Sequence, residues 1–127
     1  MSSNYLLDSS AWIEYFSGTT KGQKLIPLIE KQEVSTSIIA IAELADKFAR
    51  ENKEFDKVLE FIESRAGILP LTIGITLSAA SLKKIIRQRN TKFGLADALH
   101  LATAIEHEAI LVTSDHDFSG ERNVLLL

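Results

Sequence analysis

The side chains in this sequence best suited to chemistry are carboxylates, and several stand at the ends of apolar runs. Asp8 follows the run Asn4–Leu7 and is itself followed by Ser9-Ser10. Asp115 follows the run Ala109–Thr113, and Asp117 stands two residues on, in Ser-Asp-His-Asp. Asp97 lies near the start of Phe93–Ile105, a stretch of small and apolar residues, and Glu43 lies inside Ile38–Arg50. Carboxylates crowded together repel one another and raise one another's pKa, and a divalent cation relieves this. There is no cysteine and no His-Glu-x-x-His, so the candidate ligands are oxygens. Hard-ligand logic then favours Mg²⁺ or Mn²⁺ over zinc.

Each acid also has an ordinary use. Asp97 in a first helical turn complements the helix dipole, worth roughly 0.3–1 kcal/mol. Asp8, Asp115 and Asp117 suit loops, turns and caps. Glu43 points away from the apolar stripe of its helix, and Lys47 at i+4 offers a surface ion pair worth roughly 0.2–0.5 kcal/mol. A cleft-facing acid would also lie off that stripe, so periodicity leaves both readings open. His100, three residues after Asp97, could reach the same cleft. It reads as a satisfied surface or boundary histidine, and no general acid is assigned to it.

Elements must bring these residues together. Asn4–Leu7 reads as a buried strand ending at Asp8, and Ser9 and Ser10 as helix caps. Ala11–Phe16 is a short helix with Trp12, Tyr15 and Phe16 in the core, stopped by Gly18. Lys24–Lys31 is a helix with Pro27 in its first turn. Val34–Thr36 is a strand, and Ser37 caps the helix Ile38–Arg50. Glu54–Arg65 is helical, and Gly67–Leu71 is a strand that Pro70 assigns to an edge. Thr76–Arg89 is helical, Asn90–Gly94 a loop, and Phe93–Ile105 begins the next helix. Ala109–Thr113 is a fully buried strand, and Asn123–Leu127 a last short one. Strands alternating with helices predict α/β with a parallel sheet covered on both faces. In such sheets ligands bind beyond the carboxyl ends of the strands, where strand order reverses. Asp8 and Asp115 are predicted at such ends. Asp97 starts a helix, and a helix start belongs at the opposite sheet edge unless the helix is oriented to bring it round.

The chain has 127 residues, 46% of them hydrophobic, which predicts one domain over residues 1–127 with one core. The lack of cysteine fits a reducing cytoplasm. No apolar run approaches the ~20 residues of a membrane helix, and the N-terminus lacks a basic-then-apolar signal layout. The net charge is −3, so contact with nucleic acid needs a local basic patch. Lys83, Lys84, Arg87, Arg89 and Lys92 supply one without an intervening acid. It reads equally as a solvated helix end and as a phosphate cradle beside Asp97.

Four segments together resemble the PIN-domain family, and within it the small VapC-like toxins of toxin–antitoxin pairs. They are Leu7-Asp8-Ser9-Ser10, Ser37 through Glu43-Leu44, Gly94-Leu95-Ala96-Asp97-Ala98, and Leu111 through Phe118. The resemblance spans nearly the whole chain. It implies a three-layer α/β/α sandwich on a central parallel sheet and a metal-dependent endoribonuclease activity in the cytoplasm. It matches Asp8, Glu43, Asp97 and Asp115 to the family's acidic quartet; our own reading makes Asp8 and Asp97 the firmest ligands of Mg²⁺ or Mn²⁺, with Glu43 and Asp115 completing the shell. It implies supporting roles for Ser9, Thr113 and Asp117, and an RNA substrate; on the phosphate-cradle reading of the basic run, Arg87, Arg89 and Lys92 would contact that RNA. It also implies a homodimer and a small antitoxin protein covering the cleft, to either of which Trp12, Tyr15 and Phe16 could contribute. Ser114 departs from the basic or amide residue of many relatives, which puts local substrate contacts in doubt. Two rivals remain. A phospho-acceptor signalling domain would need paired acids after the first strand, where this chain has Ser9-Ser10. A catalytically silent PIN-like protein-binding module would not need the intact acidic set.

Overall fold

The computed structural model describes residues 4–127; residues 1–3, which the sequence reading includes in its domain, lie outside the described residues. Five parallel strands form one sheet: β1 (Tyr5–Leu7), β2 (Val34–Ser37), β3 (Ala66–Leu69), β4 (Ile110–Thr113) and β5 (Val124–Leu126). Their spatial order is β3-β2-β1-β4-β5. The chain therefore winds outward from β1 in one direction, then crosses back to lay β4 on its other side. That reversal puts the switch point between β1 and β4, where Leu6 pairs with Leu111 and Leu7 with Val112.

Alternation along the strands sends neighbouring side chains to opposite faces. Leu6 and Leu111 join Ile75, Ala79, Leu101 and Ala102 in one core cluster, covered by α6 (Ile73–Ile86) and α7 (Leu95–Glu106). Leu7 and Val112 join Trp12, Leu25, Ile29, Leu44 and Ile62 in the other. That side is covered by α1 (Ser9–Ser17), α3 (Ile26–Lys31), α4 (Ile38–Arg50) and α5 (Asp56–Arg65). The expected α/β/α layering is thus realised.

Local chemistry moved several boundaries. Asp8, rather than Ser9 or Ser10, caps α1, accepting from the Ala11 N–H at 3.0 Å. The helix expected over Lys24–Lys31 is preceded by a separate turn, α2 (Thr20–Gln23), capped by Thr19. There Gly22 lies so close to α1 that a Cβ would sit 1.9 Å from the Glu14 carbonyl oxygen. Helix α6 starts at Ile73, three residues earlier than its apolar spacing suggests, because Thr72 Oγ1 accepts from the Ile75 N–H at 3.2 Å. Pro70 falls just beyond β3, which is an edge strand as expected. Trp12 is fully buried and donates from Nε1 to Thr36 Oγ1 at 3.1 Å, while Tyr15 is half-buried and Phe16 is exposed.

The orientation of α7 settles where Asp97 lies. Helix α7 ends at Glu106 and β4 begins at Ile110, so the turn between them lies at the amino edge of the sheet. The 12 residues of α7 span about 18 Å, more than the roughly 13 Å of the four-residue strand it returns to. Its start therefore reaches the carboxyl edge, beside Asp8 and Asp115. The expectation that a helix start belongs at the opposite edge fails because a crossover helix runs antiparallel to the strand it feeds. Among the described residues, no helix is long and apolar enough to cross a membrane.

Candidate active site

Asp8 is the centre of the site. It leaves the carboxyl end of β1 only 4% exposed. Its Oδ1 accepts from the Ser10 hydroxyl at 2.7 Å and the Ala11 N–H at 3.0 Å; its Oδ2 accepts from the Thr113 hydroxyl at 2.6 Å. Those hydroxyls are held in turn by backbone. Ser114 N–H donates to Ser10 Oγ, and Asp115 N–H to Thr113 Oγ1, both at 3.0 Å. Each hydroxyl therefore receives a proton from the β4 terminus and gives its own to Asp8. Burial nevertheless wins, and the Asp8 carboxyl is pushed above its ordinary pKa despite Thr113, His100, Ser10 and Ala11.

Asp97, in the first turn of α7, is half-buried. Its Oδ2 accepts from the Gly94 N–H at 2.8 Å, so it closes the helix start as any capping acid would. Its pKa is also raised, first by burial and then by the negative charges of Asp115 and Asp117. That repulsion is the mark of acids drawn into one neighbourhood. Asp115 caps a 3₁₀ turn (His116–Phe118), its Oδ1 accepting from the Asp117 N–H at 2.9 Å. The turn-forming role and the place beside the other acids are held by the same residue.

Glu43 reaches the site from α4. Of the two readings left open for Glu43, the ion pair with Lys47 does not form; Lys47 bonds Glu51 at 2.6 Å instead. Glu43 Oε1 meets His100 Nε2 at 2.6 Å and accepts from the Ser9 hydroxyl at 3.1 Å. Burial alone would raise its pKa, but the His100 hydrogen bond and electrostatic pull, with the Ser9 hydroxyl, hold it below the ordinary glutamate range. His100 is no boundary residue. It is 3% exposed and inserted between Glu43 and Ser37. Sequence reasoning undervalued His100 and Ser10. The one signal for His100 was its place one helical turn after Asp97, on the same face; for Ser10, it was the position two residues after an acid, where a side chain folds back.

Asp8 is held through both oxygens, the other three main acids through one, and acceptor capacity remains on each. Asp8 Oδ2 accepts one hydrogen bond, and Asp97 Oδ1, Glu43 Oε2 and Asp115 Oδ2 accept none among the described residues. Also among the described residues, no three or more His, Asp or Glu side chains stand close enough together to hold a metal ion by themselves. An open set of oxygens suits an ion such as Mg²⁺, which keeps several waters and takes one or two carboxylates plus substrate phosphates. It does not suit a closed structural zinc site.

The basic loop sits against this edge. Asn90 Nδ2 donates to the Asp117 carbonyl at 2.8 Å, tying the α6–α7 connection to the acidic turn. Arg87 and Lys92 are exposed there, whereas Arg89 pairs with Glu121 at 2.5 Å. A concavity of about 390 Å³ lies elsewhere, between α6, α7 and the turn at Gly120–Asn123, and none of the four main acids lines it.

Comparison with known proteins follows the same lines. The chain is similar in structure to a toxin–antitoxin complex from Klebsiella pneumoniae, with 24% identity, a TM-score of 0.75 and 95% of each chain covered. It is similar to VapBC2 from Rickettsia felis bound to a promoter DNA fragment, with 23% identity, a TM-score of 0.75, and 97% of this chain and 96% of that one covered. It is also similar to VapC20 from Mycobacterium tuberculosis, described as a sarcin–ricin-loop-cleaving toxin, with 17% identity, a TM-score of 0.70, and 93% and 95% covered. At these identities the likeness establishes the fold. No curated protein sequence matches the chain. The family model of the PIN domain matches residues 5–120, nearly the whole chain, and this protein belongs to the PIN domain family.

Proposed function

We propose that this protein is a metal-dependent endoribonuclease and the toxin of a type II toxin–antitoxin pair. The observation that carries the reading is the buried Asp8 at the β1/β4 switch point, with Asp97 close enough to Asp115 and Asp117 to feel their charge. Asp8 and Asp97 would hold Mg²⁺, or Mn²⁺ in its place, with Glu43 and Asp115 completing the shell directly or through water. When bound, such an ion supplies Lewis acidity to water and to a phosphoryl oxygen.

The chain's own residues do the rest. Ser10 and Thr113 keep Asp8 oriented and offset part of the cost of its burial. Ser9 and His100 turn Glu43 toward the cleft, where one of its oxygens can orient an attacking water. Asp117 adds negative charge that a cation would neutralise and, through Asp115, shapes the rim. Arg87 and Lys92 would track the RNA backbone; Arg89, already paired with Glu121, is the weakest candidate of the three. A small antitoxin protein that covers the cleft belongs to the same reading, in keeping with the toxin–antitoxin complexes among the structural neighbours; a homodimer is proposed with it.

The test is cleavage of a mixed RNA substrate by purified protein with Mg²⁺, with EDTA, and with Asp8→Asn or Asp97→Asn. Cleavage should require the ion and vanish in both variants while their circular dichroism stays native. Retained metal-dependent cleavage by both variants would rule the assignment out.

A further inference from the structure

The connection between α4 and α7 singles out one side chain. His100 is buried one turn beyond Asp97, and each of its ring nitrogens faces a different part of α4. Nδ1 lies 3.4 Å from Ser37 Oγ at the helix cap, and Nε2 lies 2.6 Å from Glu43 Oε1 in the second turn. Ser37 Oγ already accepts from the Ala40 N–H at 3.1 Å. Its hydroxyl can face His100 Nδ1 either as donor or, through its second lone pair, as acceptor. A carboxylate oxygen 2.6 Å away requires a hydrogen on Nε2, since a bare lone pair there would repel it. Ser9 donates to the same Glu43 oxygen at 3.1 Å. With Oε1 receiving two donors, Oε2 is the oxygen left for the cleft.

Resting on the nuclease reading for the role of Glu43, we propose that His100 is a positioning residue. It staples α7 to α4 so that the Glu43 and Asp97 carboxylates keep a fixed separation, and it selects which Glu43 oxygen is presented to a cation. It touches neither substrate nor ion. The elements it joins come from different parts of the chain, 57 residues apart at the Glu43 contact. Without it, Glu43 would keep only the Ser9 hydroxyl and the half-exposed freedom of its own side chain.

Side-chain length separates this role from simple packing. Glutamine places an amide N–H near the position of Nε2, whereas asparagine reaches only as far as Nδ1. In full-length protein stripped with EDTA and dialysed, His100→Asn should weaken Mn²⁺ binding by about tenfold, the effect typical of residues that orient metal ligands. His100→Gln should stay within about threefold of the parent. Melting in EDTA should be lowered alike in both variants. Equal loss of Mn²⁺ affinity in the two, or none in His100→Asn, would overturn the proposal. The ¹⁵N shifts of His100 in the metal-free parent supply a second readout that needs no ion. A proton on Nε2 supports the arrangement, and a proton on Nδ1 alone refutes it. A parent that takes up no Mn²⁺ would defeat the nuclease reading itself, and the ¹⁵N measurement would then decide the staple separately.

Discussion

Asp8 and Glu43 reach the His100 side chain's neighbourhood by opposite routes. Asp8 sits at the end of a buried strand, held by two hydroxyls and a backbone N–H, and its pKa is still raised. Glu43 sits on a helix with its side chain 39% exposed, held by an imidazole and one hydroxyl, and its pKa is lowered. More donors do not make the better-stabilised carboxylate. Neutral hydroxyls only partly replace the water that burial removes, whereas an imidazole placed at hydrogen-bond distance, with less water lost, does more than replace it. A fold that accepts the cost at Asp8 is spending stability on a charge it does not need for packing, as candidate catalytic sites commonly do.

The largest contrast should come from neutral isosteres. Asp8→Asn is expected to abolish cleavage yet melt higher than the parent in EDTA at neutral pH, because it removes a buried charge and keeps the shape. Glu43→Gln should also impair cleavage but melt slightly lower. The signs follow from linkage. A raised carboxyl binds its proton more tightly when folded, so the Asp8 contribution is fully present below the ordinary aspartate value and is lost as pH rises through the folded value. The lowered Glu43 contributes above the ordinary glutamate value and loses that contribution as pH falls through its folded value. Melting curves of both variants from pH 3 to pH 7, roughly bracketing the carboxylate range, check this. A parallel response of the two would erase the contrast.

Thr113→Val asks how much the hydroxyl cradle matters. It removes the donor to Asp8 Oδ2 and the acceptor for the Asp115 N–H while nearly preserving volume. Urea unfolding at neutral pH should show a loss of about 1–3 kcal/mol, the cost of leaving buried polar groups unpaired. The smallest effect belongs to Lys47→Ala. Lys47 pairs with Glu51 at a partly exposed position and not with Glu43, so stability should change by no more than about 0.5 kcal/mol and cleavage not at all. A marked fall in cleavage would return Lys47 to the Glu43 account.

The sequence made some of this legible. Asp8 could be found because an apolar run stops at it, and Asp115 because a fully apolar strand ends two residues before it. The alternation of elements gave the layers and the parallel sheet. Helical spacing could not orient Glu43. A side chain off the core stripe faces either solvent or a cleft, and only the packing of α7 against α4 decides which. The same packing turned His100 from an apparent boundary residue into a buried partner. Asp97 looked misplaced until the direction of the crossover helix was known. Pairwise contacts between distant elements leave no periodic trace, and that is where the sequence fell silent.

The central claim is that Asp8 and Asp97 share one cation. Anomalous diffraction from a crystal soaked in Mn²⁺ tests it most directly. A shared ion gives a peak between the Asp8 and Asp97 carboxylates, with Glu43 and Asp115 at direct or water-bridged distance. No Mn²⁺ there, or a peak bound elsewhere on the surface, would contradict it.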